Sequence, residues 1–315
     1  MLFVYSIHIN HIHNRGDYMK IAVVGLGNLG RSAVKIIENT ADMELFGVFS
    51  RRNLENTLPY DDILKYKNEI DALILCGGSA KDLPYMTTFL AEHFNVVDSF
   101  DTHADIAKHY ENVNKSAVKG GKTALVSCGW DPGLFSLMRI YADAILPDGH
   151  TRTYWGKGVS QGHSDAIRKI DGVVDARQYT IPDYSYEGDN PNKMHRRECF
   201  VAIENNADKA EIECKIKTMP NYFAGYDTVV HFVSRDELKT NHSGFPHGGR
   251  VVCDSGESSM ELRLKLNSNP DFTASILVAC ARAAYRMNCE GKTGAFTMAD
   301  VPVRYLARDD VMNMM

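Results

Sequence analysis

Hydrophobic residues in the first 130 positions come in short blocks, each closed by glycine, serine, aspartate or another turn-forming residue. Apolar or β-rich runs fall at 20–24, 45–49, 72–76 (Ala-Leu-Ile-Leu-Cys), 95–98 and 123–127, with helical periodicity between several of them, most clearly over 29–38. A strand buried on both faces reads as an unbroken apolar run. Five such runs alternating with helices predict an α/β domain with a Rossmann-type, doubly wound parallel sheet. After Pro132 the pattern changes. Residues 135–145 read as a helix, and the β-like runs 177–181, 198–203 and 228–233 are separated by polar turns, which predicts a second, mixed α+β domain. The stretch 182–194, rich in Asp, Tyr, Ser, Asn and Pro, reads as an exposed loop, and 273–287 as a helix expected to pack back on the first domain.

Ligands of doubly wound sheets bind beyond the carboxyl ends of the strands. Those ends carry Gly25-Leu26-Gly27-Asn28-Leu29-Gly30, Ser50-Arg51-Arg52, Cys76-Gly77-Gly78-Ser79, Asp98-Ser99-Phe100-Asp101 and Cys128-Gly129-Trp130-Asp131-Pro132. The first is a G-x-G-x-x-G turn between a strand and a helix. Its glycines allow a tight turn, close approach of a pyrophosphate, and packing of helix on strand, with the phosphates over the helix N-terminus. At the end of the second strand an NAD site usually has Asp or Glu for the ribose 2′-hydroxyl; this chain has Ser50, Arg51 and Arg52. Two guanidiniums favour a 2′-phosphate, so the pattern points to NADP.

The length of 315 residues suits two domains. We place a dinucleotide-binding domain at 19–129, a second, substrate-binding domain at 130–269, and the returning helix within 270–315. A net charge of −5, from 35 basic and 40 acidic residues without like-charge blocks, gives no reason to expect a nucleic-acid partner. The seven cysteines are scattered, odd in number and never in a C-x-x-C pair, which argues against a disulfide framework or a metal site and for reduced thiols in a cytoplasm. No run reaches the roughly 20 apolar residues of a membrane span. Residues 1–18 begin apolar but lack the features of a signal peptide, and His8, His11 and His13 find no metal-ligand pattern downstream. Met19 is expected to be the natural start.

Longer motifs narrow the reading: Trp155-Gly156, Ser160-Gln161-Gly162-His163-Ser164-Asp165, Thr218-Met219-Pro220-Asn221-Tyr222-Phe223, Gly244-Phe245-Pro246-His247-Gly248-Gly249 and Asn269-Pro270-Asp271-Phe272-Thr273-Ala274-Ser275. With these, and the strand-end motifs above, the chain resembles the meso-diaminopimelate dehydrogenases from Met19 to about Ala295. The resemblance implies reversible, NADP-dependent oxidative deamination of meso-2,6-diaminopimelate at its D-centre, giving L-2-amino-6-oxopimelate and ammonia in lysine biosynthesis. It implies a homodimer formed through the second domain. It also implies cofactor contacts at Gly25 to Gly30, Ser50 to Arg52, Cys76 to Ser79, Ser99 to Asp101 and Cys128 to Pro132. The implied substrate residues are Asp101, Asp131, Trp155, Gln161, Gly162, Thr180, Arg197, His247 and Asn269. The loop before His195-Arg196-Arg197-Glu198-Cys199 is short, and Arg197 rather than Arg196 is taken as the arginine of the motif.

These residue types suit a substrate with a carboxylate and an ammonium at each end. Arg197 with His247 can hold a carboxylate, Asp101 and Asp131 can receive an ammonium group or act as proton acceptors, and Trp130 and Trp155 can wall the aliphatic middle. His163 stands beside Ser and Asp but without a nucleophile elbow, so it is either catalytic or a loop brace. Two other readings stay open: an NADP-linked aldehyde-type dehydrogenase with Cys128 as nucleophile, and a non-catalytic NADP-binding sensor on the same fold.

Overall fold

The computed structural model describes residues 18–188, 190–244 and 246–315, so His8, His11, His13 and Phe245 lie outside the described residues. The described residues divide into two compact units, one comprising residues 18–133 with Thr273–Met315, the other Leu134–Phe272.

The first unit alternates strand and helix: β1 (Met19–Val24), α1 (Asn28–Glu38), β2 (Met43–Ser50), β3 (Leu58–Pro59), β4 (Ala72–Leu75), α2 (Leu83–Leu90), β5 (Val96–Asp98), α3 (Ile106–Gly120) and β6 (Thr123–Leu125). All strand pairs are parallel. The order across the sheet is an edge strand Gly294–Phe296, then β6, β5, β4, β1, β2 and β3. The five expected strands are its centre. The two edge strands, of two and three residues, are too short to leave a periodic signal. Both faces of the central strands are covered, so β4 is buried along its whole length, and Phe49, Leu73, Leu75, Leu90, Phe94 and Val96 join one core. Each such side chain contributes about 1.5–3 kcal/mol relative to exposure.

The second unit holds α4 (Leu134–Ile145), β7 (His150–Trp155), β8 (Gly158–Val159), α5 (Gln161–Arg168), β9 (Val173–Pro182), α6 (Pro191–Met194), β10 (His195–Ile203), α7 (Lys209–Lys217), β11 (Thr228–Phe232), α8 (Arg235–Asn241), β12 (His247–Ser255) and β13 (Ser258–Leu266). One sheet runs β11-β10-β9-β8 and a second runs β13-β12-β7. Ile167, Ala176, Cys199, Val201, Ile212, Ile216 and Phe223 form the core between α5, α7 and the first sheet. The expected loop 182–194 is partly ordered: Asn190 caps α6 by accepting from the Asn192 amide, Pro191 takes the first helical position, and Met194 is buried. The β12–β13 hairpin escaped the sequence reading, although Met260, Leu262, Leu264 and Leu266 alternate with Glu261, Arg263 and Lys265 after a two-residue Gly256-Glu257 turn.

The long helix α9 (Asn269–Cys289) begins four residues earlier than expected and runs from the second unit into the first. Within the first unit, the buried Arg282 donates two hydrogen bonds to the Asp42 carboxylate, at 2.6 and 2.9 Å, and a third to the Leu306 carbonyl. Removing one partner of such a pair strands a buried charge, at a cost of about 3–5 kcal/mol.

Candidate functional site

The glycine-rich turn sits at the topological switch point, where β2 lies on one side of β1 and β4 on the other. Gly25 has φ +99, and a Cβ there would meet the Cys76 carbonyl oxygen at 3.0 Å. A Cβ on Gly30 would lie 1.9 Å from the Gly25 carbonyl oxygen, whereas one on Gly27 would meet nothing within 4 Å. Gly25 and Gly30 are therefore glycine for the protein's own backbone. Gly27 leaves open space at the start of α1, where no side chain caps the helix. Its first N–H groups, with Leu26, Asn28 and Leu29 around them, suit a pyrophosphate.

At the end of β2 the buried Ser50 hydroxyl accepts from the Arg52 amide at 3.0 Å and so shapes the turn that carries both arginines. Arg51 is 61% exposed and donates to Asp82 at 2.7 Å. Asp82 also accepts from the Gly78 amide at 2.8 Å, and these bonds, the amide foremost, hold its carboxyl below the usual range. The sequence reading passed over Asp82, which links the arginine turn to Cys76-Gly77-Gly78-Ser79. Burial pushes the Cys76 thiol up to about 12, so this residue contributes backbone and bulk, not a thiolate.

Ser79 accepts from the Asp101 amide at 2.9 Å, tying the loop after β4 to the loop after β5. Ser99 is half-buried and Asp101 exposed, while the Phe100 ring is buried and stacks on His109 at 4.3 Å. Phe100 can offer a ligand only its backbone. Gly129, Trp130, Asp131 and Pro132 form a turn closed by a bridge between Trp130 and Gly133. Cys128 is fully buried, and the Cys280 thiol together with burial raises its pKa well above the ordinary value. A nucleophilic thiolate at Cys128 is thereby disfavoured, and with it the aldehyde-type reading.

In the second unit, β9 and β10 pair antiparallel with Thr180 opposite Arg197. Arg197 donates to the Thr180 hydroxyl at 2.5 Å, and its guanidinium lies 4.1 Å over the Tyr226 ring. Among the described residues no carboxylate pairs with it, its Nε has no hydrogen-bond partner, and burial lowers its pKa. Arg196 points the other way, exposed and 3.6 Å from Glu198. A half-buried guanidinium without a counter-ion is costly unless a ligand supplies one.

Trp155, 41% exposed, ends β7 opposite Gly249 of β12. Its backbone N–H donates to His195 Nε2 at 2.8 Å, and the other ring nitrogen donates to the Pro191 carbonyl at 3.2 Å. Burial pushes the His195 pKa down and keeps this neutral form, a support that the sequence reading missed. β8 joins the two sheets' residues: Gly158 pairs with Thr180, and a Cβ there would sit 3.1 Å from the His247 Cα. Gln161 and Gly162 are exposed in the first turn of α5, and Asn269 opens α9 half-buried.

His163 is a brace. Its Nδ1 accepts from the Ser160 hydroxyl at 2.6 Å, the Tyr222 carbonyl takes its other nitrogen, and the Tyr222 and Phe223 rings meet it edge-on at 5.3 and 5.4 Å. Burial, with Arg197 nearby, lowers its pKa to about 4.

The profile of the Diaminopimelic acid dehydrogenase C-terminal domain matches residues 129–268. The meso-diaminopimelate D-dehydrogenase of Ureibacillus thermosphaericus is 51% identical over 311 residues, covering 92% of this chain and 95% of that protein. The structure of the C. glutamicum DAP dehydrogenase in complex with DAP aligns with a TM-score of 0.84 at 41% identity, over 94% of this chain and 98% of that one. An engineered D-amino acid dehydrogenase bound to NADP+ aligns with a TM-score of 0.80 at 39% identity, over 95% and 98%. A likeness of this extent, running through both the glycine-rich unit and the unit that carries Arg197, leads to one conclusion: the chain belongs to the meso-diaminopimelate D-dehydrogenase family.

Proposed function

We propose that the protein catalyses the reversible, NADP-dependent oxidative deamination of meso-2,6-diaminopimelate at its D-centre to L-2-amino-6-oxopimelate and ammonia, in lysine biosynthesis. The observation that carries this reading is Arg197, half-buried, without a carboxylate partner among the described residues, and backed by Thr180 and Tyr226. With His247 it binds the carboxylate of the non-reacting L-end, and Trp155, Gln161, Gly162 and Asn269 complete the recognition of the chain. The open space at Gly27, the uncapped start of α1 and the basic pair Arg51 and Arg52 fit the phosphates of NADP. NADP+ supplies the hydride acceptor when bound.

Oxidation requires a neutral amine, so a carboxylate at one of Asp101 and Asp131 takes the ammonium proton; the other then takes a proton from the water that adds to the C=N carbon, and the proton held first returns to the amino nitrogen as ammonia leaves and the O–H proton passes to solvent with formation of C=O. Recognition of the remote carboxylate is what turns the D-carbon rather than the L-carbon toward reaction. The domain roles follow: cofactor binding by 19–129, substrate binding and dimerisation by 130–269. Ile140, Tyr141 and Ile145, exposed on α4, support a homodimer, and seven cysteines without a disulfide support a cytoplasmic setting. Among the described residues no helix is long and apolar enough to cross a membrane. A silent NADP sensor would have no use for an unpaired Arg197.

NADPH formation on adding meso-diaminopimelate, compared with the L,L and D,D isomers and with NAD, tests the reading. Oxidation of the meso form with NADP is expected; equal rates with the L,L isomer would refute it.

A further inference from the structure

The side chain of Asp98 has no part in the chemistry above, yet it is fully buried and makes four hydrogen bonds. Its Oδ2 accepts from the Thr87 hydroxyl of α2 and from His109 Nε2 of α3, both at 2.7 Å. Its Oδ1 accepts from the Phe100 amide at 3.1 Å and from the Ser127 amide at 2.8 Å. A buried carboxylate costs several kcal/mol unless all its acceptor sites are filled, and here two helices fill one oxygen and two loops the other.

The two loops are those that follow β5 and β6. The β5–β6 ladder ends at the pair Val97 and Leu125. Beyond it the strands part, Ser127 turns into positive φ (+56), and the amides of Phe100 and Ser127 are handed to the side chain. The Asp98 carbonyl takes the next amide, that of Cys128, at 2.8 Å. The Phe100 ring stacks on the same His109 that holds Oδ2. Asp101 follows directly on the first loop and Asp131 on the second.

We infer that Asp98 is a positioning residue for the reaction: its carboxylate fixes the two strand-end loops that carry Asp101 and Asp131, and it does so through Oδ1 while α2 and α3 hold Oδ2. This rests on the proton-transfer roles given to Asp101 and Asp131 above. A purely structural tie between α2, α3 and the sheet would need only Oδ2 or apolar packing. The commitment of Oδ1 to one amide from each loop is what ties Asp98 to the reaction geometry.

In Asp98→Asn one oxygen becomes an NH2 donor, and four donors can no longer all be met. Displacement of reacting groups by about 1 Å can lower rate about a hundredfold. A fall in kcat of about tenfold to a hundredfold per folded molecule is expected, with a smaller change in the NADP Kd, because the phosphate-binding turn belongs to β1 and β2 and only part of the expected cofactor contacts lies on these two loops. Thr87→Val, which removes a donor to Oδ2 and leaves both loop amides in place, is expected to lower Tm but keep kcat. If Asp98→Asn does not fold, His109→Leu and His109→Gln carry the same test, because His109, unlike Thr87, also stacks its ring on Phe100 of the first loop. Leucine removes both holds and lowers kcat, and glutamine, which returns the N–H donor, recovers part of it. Unchanged kcat in folded Asp98→Asn or His109→Leu, or a kcat loss in Thr87→Val matching that of Asp98→Asn, would overturn the inference. Should the parent enzyme fail to oxidise meso-diaminopimelate, the functional reading fails by itself. Faster hydrogen exchange at the Phe100 and Ser127 amides in Asp98→Asn, but not in Thr87→Val, is then the remaining measure of the positioning role, and equal exchange in the two variants would sink it.

Discussion

Replacing Arg197 by Met separates substrate recognition from folding. Methionine keeps an unbranched stem against the Tyr226 ring but removes the charge, the bond to Thr180 and the unsatisfied Nε. Because the guanidinium has no carboxylate partner among the described residues, its loss leaves no stranded counter-charge and little cost in stability is expected. The substrate should feel the change fully. A bidentate carboxylate contact comprises two charge-assisted hydrogen bonds at about 1.5–3 kcal/mol each. Even the lower end, about 3 kcal/mol, lowers kcat/KM about a hundredfold for meso-diaminopimelate. A monocarboxylic D-amino acid does not use this contact, so its smaller kcat/KM should change far less, and the NADP Kd should not change. Steady-state kinetics with both substrates and a binding titration with NADP decide the matter. Equal losses on both substrates would place Arg197 at the reacting end. Loss of NADP affinity, or a collapse in Tm, would make it structural, and in each case the proposed orientation of the ligand would be wrong.

The glycines of the phosphate turn should part company. Gly30→Ala would put a Cβ 1.9 Å from the Gly25 carbonyl oxygen and lower Tm, while Gly27→Ala meets no protein atom and should keep Tm but weaken NADP binding, read by thermal denaturation and titration. Arg51→Ala with Arg52→Ala should raise the NADP KM about tenfold or more per arginine with little change in kcat. The Arg51 share should be the smaller if its Asp82 bond must first be surrendered. Cys128→Ala should retain turnover, since the thiol is fully buried and protonated; loss of activity with fold intact would revive the thiol mechanism. His163 has a folded pKa of about 4 against an ordinary 6.5, so below pH 6.5 the unfolded chain binds a proton that the folded one refuses. Its contribution is whole above pH 6.5 and is lost as pH falls from 6.5 to about 4, by at most about 3 kcal/mol at 1.36 kcal/mol per unit. His163→Gln should show a shallower loss of denaturation free energy over that range, and an identical slope would refute the locked neutral state.

The sequence by itself determined what depends on local spacing and on burial along one strand. Five apolar runs alternating with helices, with the Gly25-to-Gly30 turn between the first of them and α1, point to a doubly wound sheet, because strands covered on both faces read as unbroken apolar runs and five at this spacing are hard to arrange otherwise. Ser50, Arg51 and Arg52 lie in one stretch, and their charge speaks for a phosphate before any fold is known. Longer motifs carried the rest by resemblance. The β12–β13 hairpin was equally legible in its alternation and went unread. Tertiary structure decided what depends on partners far apart in sequence: that Arg197 rather than Arg196 lies with Thr180 and Tyr226, since side chains alternate across a strand and register sets the face. It decided that Phe100 and Cys128, although at strand ends, are buried, that Asp82 meets Arg51, and that Asp98 gathers Thr87, His109, Phe100 and Ser127 around one carboxylate. Bonds such as Arg51 to Asp82, 31 positions apart, and Ser127 to Asp98, 29 apart, have no period along the chain; they exist only once the strands that bring their ends together have paired.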